Sequence, residues 1–227
     1  MRLALLTIAV LLVASPAEAQ SSGESRPVLP EAGTATTPPP ETGEVAESKW
    51  SFSFGALGYI VPDGRDYLQP TLTIDHEWLH LEARYNYEAI DTGSVWIGYN
   101  ISFGDAIKVD FTPMIGGVFG DTHGVAPGYE ISLAWRGLEF YTEGEFVFDT
   151  DDSSASFFYS WSELTYSCTD WFRAGVAAQR TKIRDEPSGI EIGPLIGLKY
   201  ECLDFSAYVL FPRLGTPTVA LGIGIEF

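Results

Sequence analysis

Basic residues are scarce in this chain: 13 Lys and Arg stand against 31 Asp and Glu, a formal net charge of −18 over 227 residues. That balance argues against nucleic acid or an anionic lipid surface as a partner, because both repel a protein of this sign. Long apolar runs are also missing. The one near the start, Leu3 to Val13, is too short to cross a bilayer as a helix, and no later segment is long and charge-free enough. If the rest of the chain lies in a membrane, it must do so as a closed barrel of strands. Only two cysteines and three histidines are present.

The first fifty residues differ in kind from the rest. Met1-Arg2, the apolar run and Ala17-Glu18-Ala19 make a charged start, a short apolar core and an A-x-A-like end, the pattern of a secretory signal peptide over residues 1–19. A cut after Ala19 removes Arg2 with Glu18 and leaves the net charge unchanged. Residues 20–48 are rich in Ser, Gly, Thr, Glu and Pro, with Pro38-Pro39-Pro40 at their centre. A segment of that composition buries too little surface to fold and is expected to form a disordered periplasmic tail. Residues 49–227 are long enough for a single domain.

In that domain the pattern has period two. At the C-terminus Val219, Leu221, Ile223, Ile225 and Phe227 fall on one face, while Ala220, Gly222, Gly224 and Glu226 fall on the other. Trp50, Phe52, Phe54 and Ala56 alternate with Ser51, Ser53 and Gly55. Leu81, Ala83, Tyr85 and Tyr87 alternate with Glu82, Arg84, Asn86 and Glu88; Leu138, Phe140, Phe146 and Phe148 oppose Glu139, Tyr141, Glu143 and Glu145. Repeated along the chain, this predicts about twelve strands, joined alternately by very short and longer connections. The register of the strand from Phe157 to Ser167 is left open by its composition. A hydrophobic fraction of 45% beside so many acids requires the two to be segregated, and alternating strands do that.

A continuous apolar face, a small or polar opposite face and an aromatic last residue resemble bacterial outer-membrane β-barrel proteins. The resemblance is to the class, with no particular family or substrate attached. It implies an all-β, antiparallel up-and-down transmembrane barrel in the cell outer membrane. The lipid bilayer and the barrel-assembly machinery, engaging the C-terminal strand, are then the expected partners. Short turns and both ends of the domain fall on the periplasmic side. Trp50, Trp78, Phe103, Trp135, Trp171, Tyr200, Phe205 and Phe227 then form an aromatic girdle at that side. Phe119, Phe148, Phe157 and Phe211 lie near the opposite strand ends. A soluble lipocalin-like barrel is the competing architecture and would have to enclose about a dozen large aromatics.

Three motifs touch on chemistry. His76-Glu77-Trp78-Leu79-His80 matches the H-E-x-x-H of zinc proteases, which works only on a helix. Here the period is two, and on a straight strand the two His stand roughly 13 Å apart. The match is read as chance, with no metal and no cofactor expected. Twelve-stranded outer-membrane phospholipases pair their base and nucleophile as His-x-Ser, yet no Ser follows two residues after His76, His80 or His123, so no enzyme is expected. Cys168 and Cys202 sit in near copies of one turn sequence, and two cysteines in an exported chain point to a disulfide. Their strands, taken as two apart, would hold them nearly 10 Å apart before the turns bend.

The expected lumen carries Glu82, Glu88, Asp110, Glu130, Glu139, Glu143, Glu145, Glu191 and Glu201, answered by Arg84, Lys108, Arg173 and Lys199. Rings of carboxylates attract cations. The domain therefore reads as a narrow passive channel for small cationic or neutral solutes. The alternative is a closed structural barrel that anchors its tail and transports nothing, its lumen filled with paired charges. No loop looks long enough to fold inward as a separate constriction.

Overall fold

A computed structural model of the chain describes residues 50–62, 64–183, 188–213 and 215–227; the expected signal peptide and tail lie outside them. Among the described residues thirteen strands form one antiparallel sheet: β1 (Trp50–Ile60), β2 (Tyr67–His76), β3 (Leu79–Tyr85), β4 (Thr92–Tyr99), β5 (Ile101–Phe103), β6 (Lys108–Gly120), β7 (Gly124–Trp135), β8 (Leu138–Asp149), β9 (Phe157–Thr169), β10 (Phe172–Ile183), β11 (Gly189–Tyr200), β12 (Leu203–Pro212) and β13 (Thr218–Glu226). β4 and β5 are two halves of one stave, interrupted at Asn100, and both pair with β6. That leaves twelve staves, as the alternation predicts. The ring closes where β1 pairs with β13, Gly55 opposite Gly224 and Ile60 opposite Val219.

Closure follows from the backbone. Each strand presents unpaired N–H and C=O groups on both sides, and in hydrocarbon each such group costs several kcal/mol. A twelve-stave ring has no edge left to satisfy. The outward face then has to be apolar, and it is: Leu72, Val95, Ile97, Ile115, Phe148, Val176, Ile192 and Leu221 are among the large side chains it exposes. Soluble monomers rarely expose a contiguous apolar surface of this extent. The eight girdle aromatics are all exposed, from Phe205 at 41% to Phe227 at 70%, and all sit at the end where the turns are shortest. Arg136-Gly137 shows how short: both residues have positive φ, 48° and 81°, which a two-residue hairpin turn of type I′ demands.

Four expectations are corrected. Phe157 does not join the far belt; it is buried inside the barrel, whereas Phe119, Phe148 and Phe211 are exposed outside. β3 stops at Tyr85, and Asn86 takes a positive φ of 57°, so the alternation does not continue through Tyr87. The turn instead carries Tyr87 and Glu88 inward, a short constriction that loop length alone does not reveal. Glu201 lies in the β11–β12 turn with a φ of 54°, off the strand wall. Cys168 and Cys202 are free and exposed. They belong to separate hairpins, with β10 and β11 between β9 and β12, so they stand about 10 Å or more apart, beyond disulfide reach.

At the long-loop end, Arg65 donates to Asp91 at 2.7 Å and joins the β1–β2 loop to the β3–β4 loop. The guanidinium holds the Asp91 carboxyl below the usual carboxylate range, and the carboxylate raises Arg65 in turn. A depressed carboxyl contributes to order above its unfolded pKa and loses that contribution as pH falls through its folded value. In Arg65→Ala the Asp91 titration, followed by carboxyl ¹³C NMR, should move up toward the ordinary value of about 3.9. The thermal midpoint of the barrel should not change, because the pair is exposed.

Candidate functional site

The interior is divided along the barrel axis. At the long-loop half it is dry. Tyr59 stacks on Tyr67 with ring centroids 4.5 Å apart, and Tyr87 meets Tyr159 edge-on at 5.3 Å. Val147, Phe157, Leu210 and Ala220 fill the space around them; Tyr59 and Trp96 are each 3% exposed and Leu210 is 0%. Gly116 has to be glycine here, since a Cβ would lie 2.4 Å from the Trp96 ring. These aromatics share a strand face with residues the alternation sends inward: Tyr59 with Ser53 and Gly55, Trp96 with Gly98, Tyr159 and Trp161 with Glu163.

At mid-barrel stands Arg84, 5% exposed, beneath the Tyr87 ring at 4.3 Å and the Trp96 ring at 4.8 Å. It donates to Glu82 at 2.6 Å and to Glu145 at 3.1 Å, with Glu130 at 3.7 Å and Glu143 at 4.0 Å. Glu143 accepts from the hydroxyls of both Tyr87 and Tyr141. Glu88 accepts from Ser94 and Trp96. One guanidinium therefore serves four carboxylates from β3, β7 and β8, and phenol hydroxyls supply donors that cations do not.

Toward the short-turn end the lumen opens into a cavity of about 730 Å³ and a second of about 490 Å³. Both are bordered by Tyr141, Glu163, Arg173 and Asp204. Asp75, Glu82, Asp110, Glu130 and Glu143 line the larger one, and Glu139 and Lys199 the smaller. Lys108 is exposed at the rim with Glu139, while Glu191 sits at the other end of the barrel, opposite Gln179. Arg173 forms a forked pair with Asp204, one arm at 2.8 Å, and lies flat across Gly197, where a Cβ would come within 2.6 Å of the guanidinium.

Asp75, Glu163 and Asp204 were absent from the expected lumen set. Asp75 and Asp204 sit one or two residues from a turn, and Glu163 falls in the strand whose register alternation left open. His76 and His80, paired in the H-E-x-x-H spacing, part company. His76 ends β2 with its ring 4.3 Å from that of Trp50, whereas His80 is buried inside beside Glu82.

No family model and no curated protein matches the sequence. Among solved structures, the chain is similar to the KdgM porin, with 12% identity, a TM-score of 0.55, and 77% of this chain and 98% of that one covered. A structure of KdgM porin in complex with disordered oligogalacturonate gives 11% identity, a TM-score of 0.53, and coverage of 78% and 98%. At these identities the likeness is one of fold, a closed antiparallel β-barrel.

Removing Arg84 leaves Glu82 and Glu145 buried without their donor. Breaking a buried ionic network from one side costs about 3–5 kcal/mol. Arg84→Met should lower unfolding stability in detergent or lipid by about that much, measured by guanidinium titration with tryptophan fluorescence. Arg84→Lys should recover only part, since one ammonium cannot span the fork between Glu82 and Glu145.

Proposed function

We propose that the protein is an outer-membrane barrel acting as a narrow passive channel for small cationic or neutral solutes. The observation that carries this reading is the wide, acid-walled lumen at the short-turn end, set in a porin fold. That end is read as periplasmic, because short turns face the periplasm in such barrels. Around the larger cavity Asp75, Asp110, Glu130, Glu143, Glu163 and Asp204 outnumber Arg173. In a low-dielectric wall such an excess produces a negative potential that concentrates cations and repels anions. The Arg84 network and the aromatic layer above it then form the narrow point. The lining charge is opposite to what an anionic saccharide would require, so the oligogalacturonate of the KdgM complex is not carried over.

A second reading is favoured by the same dry half. Val147, Leu210 and Ala220 have no accessible surface. A barrel closed there would be structural, its lumen a dead-end vestibule.

The two readings separate in planar bilayers. The wild type should show a small conductance with cation preference, and Asp110→Asn combined with Glu163→Gln should reduce that preference without loss of the folded, heat-modifiable gel band. Tyr59→Ala with Tyr159→Ala, which clears the narrow point, should raise conductance several-fold. A folded, inserted protein silent in both wild-type and double-alanine forms would leave the structural barrel as the better account. Membrane fractionation tests the location: recovery in the soluble periplasm would end both readings.

A further inference from the structure

Four carboxylates, Glu82, Glu130, Glu143 and Glu145, stand within 4.0 Å of the single guanidinium of Arg84, so acids outnumber the cation they share. His80 enters this cluster beside Glu82. One ligand atom each from His80, Glu82 and Glu130 lie within 4.8 Å of one another. Glu130 is 3.7 Å from Arg84, outside hydrogen-bond range.

His80 supplies the independent observation. It is 4% exposed, and its Nε2 has no hydrogen-bond partner. Glu82 Oε2, at 3.8 Å, is too far to accept from it. Its other nitrogen is firmly held: Nδ1 is 2.8 Å from Asp75 Oδ1. Asp75 Oδ1 also accepts from Asn100 Nδ2 at 2.7 Å, and Thr112 Oγ1 donates to Asn100 Oδ1 at 2.7 Å. With Asp75 ionised it has no hydrogen to give, and Nδ1 is then the donor in this bond. In the neutral ring, the form that a metal binds, Nε2 is then a lone pair close to Glu82 and Glu130. A carboxylate behind the imidazole with a lone pair in front is the arrangement that orients metal-ligating histidines.

We propose that His80, Glu82 and Glu130 bind a divalent transition-metal cation, Zn²⁺ fitting best, with Asp75 as the positioning residue behind His80. An imidazole favours zinc over magnesium or calcium. Three protein ligands leave a fourth position, and here it faces the open cavity that all three residues line. Two carboxylates match the ion's charge. Ligands about 2.0–2.2 Å from zinc stand about 3.4 Å apart in a tetrahedron, which small rotations of the Glu82 and Glu130 side chains would achieve. Glu82 can keep its bond to Arg84, since a carboxylate has lone pairs for both. His76 takes no part, so the site does not use the H-E-x-x-H spacing.

The test uses the full barrel folded in detergent, stripped with chelator and checked by heat-modifiable migration, then titrated calorimetrically with ZnCl₂. One Zn²⁺ per chain is expected. His80→Ala or Glu130→Gln should abolish saturable binding, Asp75→Asn should weaken it by about 10–100-fold, and His76→Ala should leave it unchanged. CoCl₂ should give the visible d–d bands of a low-coordinate, imidazole-bound ion. Absence of saturable binding to the folded wild type overturns the proposal, as does undiminished binding in Glu130→Gln or loss of binding in His76→Ala. If His80→Ala does not fold, the Glu130→Gln and Asp75→Asn titrations and the wild-type cobalt spectrum decide. No conductance is read, so this result and that of the channel measurement stand apart.

Discussion

The constraint on which the rest depends is that hydrocarbon offers the backbone no hydrogen-bond partners. A sheet can satisfy that only by closing on itself, β1 against β13 and β4 with β5 against β6. Closure splits every strand into one lipid face and one interior face. Apolar bulk goes outward because the solvent there is oil. The interior of a twelve-stave ring is wider than side chains of ordinary size can fill. Large aromatics and ion clusters fill one half here, and a pair of cavities occupies the other.

The two halves use different physics. In the long-loop half, rings and aliphatic groups pack to near-zero exposure, and one carboxylate oxygen of Glu88 is held by Ser94 and Trp96. In the short-turn half, carboxylates such as Asp110, Glu139 and Glu163 face open space, where water keeps their charge inexpensive. Arg84 stands at the boundary. It pays desolvation on the dry side and collects carboxylates from the wet one, so its removal disturbs both.

The strand faces were legible because lipid and lumen demand opposite polarities, and Glu82, Glu143 and Glu145 lie on the inner wall that alternation assigns them. The aromatics inside were not legible on the same rule. Polarity alone would send most rings outward, yet Tyr59, Trp96, Tyr159 and Trp161 point in, because a wide lumen needs volume as well as charge. β9 resisted for this reason: Phe157, Tyr159 and Trp161 face inward while Phe158, Leu164 and Tyr166 face outward, so neither face is distinct. Tyr87 deceived in another way. The period of two runs unbroken through it, but Asn86 turns the backbone, its side-chain oxygen accepting from the Asp91 N–H and its amide donating to the Leu68 carbonyl. A pattern in side chains cannot report where the chain stops being a strand.

Asn100 shows how one irregularity serves several levels. It interrupts the stave between β4 and β5, and its backbone N–H donates to the Trp78 carbonyl in the neighbouring turn at 2.7 Å. That places its side chain inside, between Thr112 and Asp75, relaying orientation from β6 to the carboxylate behind His80. An unbroken ladder would have kept alternation but offered no amide in this position. Aspartate there would repel Asp75, and a hydroxyl would be too short to bond both neighbours. The break is therefore better understood as the means by which the carboxylate beside a buried histidine is held in place than as a flaw in the barrel wall. Five staves meet around that single ring: β2 gives Asp75, β3 gives His80 and Glu82, the stave of β4 and β5 gives Asn100, β6 gives Thr112 and β7 gives Glu130. Binding at their junction would add a direct tie between β3 and β7, which Arg84 and Glu130 already approach across the lumen.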